Sequence, residues 1–257
     1  MRGYIAFVKK EFMENTRTYK LLILFAVFLI FGMMGPIMAK LTPEILKSID
    51  VQGIPWDIPV PTALDSYKQF FKNDGQMGLL ILVLIFGGTL TREYTKGTLI
   101  NVLTKGLSRK TVIFAKYTVA SILWTASLVL SFLTTYGYTV YLFPNEKVDN
   151  IVQSVGCLWI FGLFLLAVII FASTLVESSY SCLLVIALIL IVLFTINIVP
   201  AIVPYNPVLL ASENVTMLKQ DYDFLNVIKS LSVTLVAIVG LIGAAALPPA
   251  LHRFWKA

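Results

Sequence analysis

The sequence predicts an all-α integral membrane protein with six spanning helices. Three observations predict it. Hydrophobic residues make up 58% of the 257 and charged residues only 13%, against roughly 25% charged in a soluble domain. Mean hydropathy is +0.86. The apolar residues fall into repeated continuous runs, each near the ~20 residues that cross ~30 Å of hydrocarbon as a helix. Backbone groups in a bilayer are satisfied only in helices or closed barrels. Continuous runs, rather than alternating ten-residue strands, select helices.

The elements follow in order. Residues 1–20 contain "YIAFVKKEFMENTRTYK". Ile5, Val8 and Phe12 fall at i, i+3 and i+7, with Tyr4 and Phe7 beside them. Lys9, Lys10, Glu14 and Arg17 lie off that stripe. This is a basic amphipathic helix, predicted to lie in the membrane interface. Its lysines suit anionic headgroups, at ~1 kcal/mol each. Six spans are predicted at about 21–39, 76–90 (begun earlier, near Tyr67), 112–143, 151–176, 181–203 and 227–247. Pro248 and Pro249 stop the last, because proline cannot continue the hydrogen-bond ladder.

Loop charge sets the orientation. The N-terminal segment, the loop after span two with the first turn of span three, and the C-terminal tail together hold thirteen basic residues; the opposite loops hold six. Lys and Arg accumulate on the cytoplasmic side. Both termini are therefore expected in the cytoplasm, which an even number of spans satisfies. The outer loop 40–75 contains Pro43, Pro55, Pro59 and Pro61 and is expected to pack as a small cap. The outer segment 204–226 includes an apolar stretch, 207–219, that reads equally as a re-entrant helix or an interfacial loop.

Several function classes are disfavoured. The net charge of +6 comes from basic residues flanking apolar runs, where membrane orientation explains them, so no nucleic acid is expected. Cys157 and Cys182 lie in or at the edge of spans without metal spacing. No cleaved signal is expected, because the first apolar run follows a long charged lead. No G-x-x-x-x-G-K-[ST] and no H-E-x-x-H occurs, so nucleotide hydrolysis and zinc chemistry are not expected of this chain. His252, the single histidine, sits in a polar tail. No cluster of intramembrane carboxylates is seen, and such groups mark ion-coupled transporters. Glu177 reads as the charge closest to a span interior and as a cap of the fifth helix.

The polar island 91–111 is the most informative stretch. It contains "TREYTKGTLINVLTKGLSRK". Leu99, Ile100, Val102 and Leu103 make an apolar stripe. Gly97-Thr98 suits a helix start, where the threonine accepts an orphan N–H. Gly106 suits a helix stop in the left-handed conformation. A helix of two turns is marginal alone in water, so a partner is expected to bury the stripe.

The pattern R-E-x-x-x-G-T-L-x-x-x-L-T-x-x-x-S-R, followed by Lys116 in the next span, resembles the cytoplasmic loop of ABC-2 type permeases. The N-terminal segment before the first span is also similar to that family. The likeness covers essentially the whole chain, with short and degenerate motifs placed correctly. One departure is Lys105-Gly106-Leu107, where many relatives carry a proline. The resemblance implies a single transmembrane permease domain over 1–257, working as half of an exporter in a bacterial or archaeal cell membrane. It implies that Arg92, Glu93, Gly97, Thr98, Leu99, Ile100, Val102, Leu103 and Thr104 form an ATPase-coupling segment. That segment would insert into a separate cytoplasmic ABC ATPase, which carries the ATP and magnesium; no cofactor is implied in this chain. A second permease copy, as a homodimer, would complete the pathway.

The cargo is less well marked. Thr125, Ser127, Ser131, Thr134, Thr135 and Tyr136 in span three, with Thr195 and Asn197 in span five, are polar groups within apolar helices. Interhelical hydrogen bonds account for each singly. Largely apolar spans suit a hydrophobic or amphipathic peptide, toxin, drug or lipid-like cargo. Trp124 and Trp159 leave open a polysaccharide, and a non-transporting scaffold or sensor is the alternative from another class.

Overall fold

The computed structural model describes residues 2–48, 60–95, 97 and 106–247. Six of its helices are long and apolar enough to cross a membrane, and no strand occurs among the described residues. Helix α1 (Arg2–Arg17) precedes α2 (Lys20–Ser48), with Tyr19 at φ 58° making the corner. The second span is composite. It runs through α3 (Ala63–Lys72), a π-helical turn (Asn73–Gly78), α4 (Leu79–Phe86) and α5 (Thr89–Thr95). Helices α6 (Arg109–Leu142), α7 (Ile151–Leu175) and α8 (Ser179–Ile196) are spans three to five. Short helical turns at Val203–Tyr205, α9 (Leu209–Ser212) and Thr216–Leu218 lead to α10 (Leu225–Ala246), the sixth span. We call the end that carries α1 the near end.

The expected spans are all present, and their ends differ instructively. Helix α2 runs through Pro36 and Pro43 to Ser48, and span two begins at Ala63. Much of the expected loop 40–75 is therefore helix. Close packing overrides proline here: a Cβ on Gly32 would lie 2.5 Å from the Ser131 carbonyl, so α2 and α6 meet backbone to backbone. Span two starts early because Thr62 donates from its N–H and hydroxyl to Asp65 Oδ2, at 3.1 and 2.8 Å. Glu146 also accepts the Ala63 N–H at 2.6 Å. Span five ends at Ile196 rather than near 203, in a run of turns before Pro200 and Pro204. The segment 204–226 is a set of short turns with buried Leu209, Leu210, Met217 and Leu218.

The main core joins all six spans around Trp124, Phe28 and Phe70. Phe28 meets Trp124 edge-on at 5.7 Å. Trp124 Nε1 donates to the Trp159 carbonyl at 3.0 Å, and Trp159 Nε1 donates to Thr125 Oγ1 at 2.9 Å. These two bonds cross between α6 and α7 and give both indoles partners within an apolar setting.

Candidate functional site

Three elements converge at the near end. Helix α1 lies against α6 and the foot of span two. Phe7, Leu90, Val112 and Ala115 form a small buried cluster between them, and the Tyr4 hydroxyl meets Thr118 Oγ1 at 2.8 Å. A charged network sits beside this cluster. Lys116 of α6 contacts Glu11 and Glu93, each at 2.9 Å. Lys10 contacts Glu93 at 2.7 Å, Glu14 at 2.7 Å and Glu11 at 3.0 Å. Glu11, Glu93 and Lys116 are all buried. Each buried charge thus has an opposite neighbour, which a low-dielectric site requires. Both ammonium groups also lie over the Phe7 ring, at 5.1 and 6.0 Å.

Burial alone lowers the pKa of Lys10, but hydrogen bonds to Glu14 and Glu93 and the charge of Glu11 outweigh it and hold the pKa above the ordinary lysine range. The carboxylates of Glu11, Glu14 and Glu93 lie within 4.8 Å of one another. That geometry would suit a cation, and Lys10 and Lys116 already supply the counter-charge.

The structure redistributes the sequence-predicted residues. On α1 the buried face is Phe7, Glu11 and Asn15, while Ile5 is 66% exposed, Phe12 is exposed and Val8 is partly buried. Ile5 and Phe12 therefore face away from the protein, whereas Val8 packs against both the main core and the Phe7–Leu90 cluster. Lys9 is exposed, whereas Lys10 belongs to the network. Arg92 is exposed and Glu93 points inward. Gly97 and Gly106 adopt φ of 67° and 86°, the left-handed region that favours glycine. Thr98, Leu99, Ile100, Val102, Leu103 and Thr104, with the expected short helix, lie outside the described residues.

Glu177 is exposed and does not cap α8. Ser178 does, accepting the Ser181 N–H at 3.1 Å; its short side chain reaches the orphan donor that a longer glutamate overshoots. Lys116 enters the network although sequence spacing marked only its place in span three. Glu14 at i+4 from Lys10 is a helical ion pair readable from sequence. The tie to Lys116 spans a loop and leaves no local signal.

Asp74 requires a second correction. It falls in the stretch 40–75 expected as outer loop, yet it lies within span two and is fully buried. Of the polar candidates in span three, Ser131 donates to Asp74 Oδ2 at 3.1 Å and Thr135 to the Gly32 carbonyl at 3.0 Å. Thr125, Ser127 and Thr134 donate to carbonyls of their own helix, as does Thr195 in span five.

A cavity of about 570 Å3 opens between spans two, four and five. Leu79, Val83, Phe161, Leu165, Ile186 and Leu190 make its walls. Its base is pinched toward the near end. A Cβ on Gly87 would lie 2.7 Å from Leu183, and one on Gly88 2.6 Å from Ser179 Oγ, so the two spans touch through absent side chains. Thr91 and Ser179 join by their hydroxyls at 3.1 Å just below. At the other end the cavity meets Lys72, Gln76 and Asn214. Asn214 is buried, and its Oδ1 has no partner.

A sequence model of the ABC-2 family transporter proteins matches residues 5–246. The chain belongs to the ABC-2 transporter family. It is therefore a membrane component of an ABC transporter and not itself the catalytic subunit. The match takes in α1, the charged network and all six spans. The chain is also similar to the uncharacterized transmembrane protein YxlG of Bacillus subtilis (strain 168), 19% identical over 180 residues, which are 69% of this chain and 70% of that protein.

Proposed function

We propose that this ABC-2 family chain is the permease half of an exporter for a hydrophobic or amphipathic cargo. Two copies form the pathway, both termini face the cytoplasm, and a separate ATPase engages the segment that follows Arg92 and Glu93. The observation that carries the coupling is the burial of Glu93 between Lys10 and Lys116. Glu93 stands four residues before Gly97, where the proposed coupling segment begins. A push on that segment is therefore delivered at once to α1 and to the third span. Nucleotide-driven closure of the ATPases would bring the two segments together and move spans two and three as a pair.

The cargo class rests on the cavity. Its walls are aliphatic and aromatic, and its volume falls in the range of ligand sites. The unpartnered Asn214 Oδ1 favours a cargo whose polar end carries a hydroxyl or amide donor, with Lys72 and Gln76 beside it. The open apolar face of α8, with Leu184, Leu188 and Ile191 exposed, suits lipid or the second copy.

The test begins with purification. The chain is expected to co-purify with an ATPase that carries the nucleotide-binding motifs. In reconstituted complex, Leu79→Trp should abolish stimulation of hydrolysis by amphipathic cargo and leave basal hydrolysis in place. A chain that binds no ATPase instead supports the scaffold reading, and unaltered cargo stimulation in Leu79→Trp removes the cavity from the pathway.

A further inference from the structure

Asp74 has no place in the coupling network. Glu93 lies nineteen residues further along the same span, about 28 Å at 1.5 Å per residue. The Leu79 N–H reaches back five residues to the Asp74 carbonyl, and this defines the π-helical turn. Such turns recur at functional sites. The side chain is 0% exposed. Ser131 supplies one hydrogen bond to Oδ2, and Oδ1 has none. Among the described residues no cation pairs with it. The groups packed around the turn carry no charge: Phe28 of α2 lies against Gly78, Ser131 of α6 against Asp74, and Leu158 of α7 against Gly75. Lys72, on the same helix, is exposed.

Ser127, Ser131, Thr135 and Thr139 recur at every fourth position of α6 and are all buried. One stripe of hydroxyls therefore faces α2 and α3. Beyond Ser131, Thr135 bonds the Gly32 carbonyl at 3.0 Å, and Thr139 Oγ1 meets Ser66 Oγ at 2.6 Å. Ser66 lies one helical turn from Thr62 and next to Asp65, toward the far end of the bundle, and is itself buried. A carboxylate without a counter-ion is costly in such surroundings, and isolated intramembrane carboxyls mark ion or proton pathways.

We propose that Asp74 is a proton-exchange site, loaded from the far face along the Ser66–Thr139–Thr135–Ser131 stripe. Successive hydroxyls on α6 are one turn apart, about 6 Å, a gap that a single water would bridge when the tight α2–α6 seam parts. Ser131 passes its hydroxyl proton to Oδ2 and takes another from the bridging water. A hydronium at the far face loses the proton that restores the chain, so one O–H forms for each one broken. Release runs the same steps backward. A metal cation could stand in place of the proton; among the described residues the carboxylate group with metal-binding geometry is Glu11, Glu14 and Glu93, apart from Asp74, which favours the proton. Gly75 and Gln76, the next two residues, line the cavity. Loading of Asp74 and occupancy of the cavity are therefore coupled through one turn of helix; only this last link rests on the export reading.

The experiment is an infrared titration of the full-length chain in lipid nanodiscs, with Asp74→Asn as reference. Asparagine is isosteric and still accepts from Ser131, and an unchanged helical spectrum verifies its fold. The expected difference spectrum holds a carboxylic-acid carbonyl band that converts to carboxylate as pH rises. Asp74→Glu should displace the band, and this second variant serves if asparagine disturbs the fold. Thr135→Val should slow its exchange with deuterated water. Carboxylate bands alone across the whole folded pH range overturn the proton site. Conversion by sodium at fixed pH overturns it in favour of a metal cation. Undiminished exchange in Thr135→Val overturns the stripe as the path. In the ATPase complex, wild-type hydrolysis should follow far-side pH, and that of Asp74→Asn should not. A clear band with equal pH profiles overturns the coupling to transport while leaving the proton site standing.

Discussion

Lys116 and Glu93 meet at 2.9 Å, across a loop, with both side chains almost entirely buried. The pair fixes the start of span three to the end of span two, and Glu11 and Lys10 extend it to α1. Removing one partner of a buried ion pair costs about 3–5 kcal/mol, because the other charge is left uncompensated. Lys116→Met should therefore lower the melting temperature sharply and free α1 for proteolysis. Adding Glu93→Gln to it should restore part of the loss, as a double-mutant cycle in detergent will measure. Additive losses would place the two residues outside a common network.

The pH response of α1 follows from Lys10. Its pKa is held above the ordinary value by Glu14, Glu93 and Glu11 against the opposing effect of burial. A raised lysine pKa contributes stability that is fully present below its unfolded value, about 10.4, and is lost as pH rises through the folded value. Proteolysis of α1 should stay slow from neutral pH to about pH 10 and accelerate only beyond. In Lys10→Gln the cleavage should be faster at neutral pH and should not show that alkaline step.

Gly162 faces the Trp124 indole so closely that an added Cβ would overlap the ring. The ring has little freedom to move, because Trp124 and Trp159 hold each other's helices through their N–H groups. Gly162→Ala should cost about 1–3 kcal/mol, as overpacking does, and should shift tryptophan fluorescence. Gly156→Ala, six residues earlier with open space around its Cβ, should be neutral or slightly stabilising. Equal melting temperatures for the two variants would show that the α6–α7 contact yields more easily than the geometry implies.

Gly97 and Gly106 flank the proposed coupling segment in left-handed conformations. A side chain there costs about 1–2 kcal/mol. Since neither glycine has a heavy atom within 4 Å of an added Cβ, the cost is confined to the loop. Gly97→Ala should leave global melting nearly unchanged and weaken ATPase association or its stimulation. A large fall in melting temperature would tie Gly97 to the folded core instead.

Orientation can be checked with thiol chemistry. Cys157 and Cys182 are buried, so a cysteine introduced by Pro55→Cys can be labelled selectively in cells. Membrane-impermeant reagent added outside should reach it. Labelling only after permeabilisation would reverse the proposed topology.

Six spans and an N-terminal helix were legible in the sequence because the hydrophobic pattern is dominated by burial in lipid, a local property. Helix ends were less legible. Pro43 falls in the expected outer loop 40–75, yet α2 passes it and Pro36 to reach Ser48, packing backbone to backbone on α6 at the glycine of position 32. Asp74 escaped because it lies within a polar stretch, "KNDGQ", that reads as loop. Its burial is decided by Ser131, far along the chain. Glu93 was legible as an important acid only by family likeness. Its partners are two lysines that charge counting assigned to orientation. The apolar stripe of α1 is split: Ile5 and Phe12 lie off the face that packs, because the charged network holds the helix by Glu11.

The π-helical turn of span two has a geometric consequence. It accommodates one residue more than an α-helical turn would. Each residue of an α-helix advances about 100° around the axis and 1.5 Å along it. An extra residue carried in a continuous α-helix would therefore rotate α3 by about 100° relative to α4. The wider turn absorbs it, so Ser66 and Phe70 keep their register against α6 while Leu79 and Val83 line the cavity. Deleting one residue between Asn73 and Gly78 should let the turn close as an ordinary α-helical turn, with both faces of the span still in place.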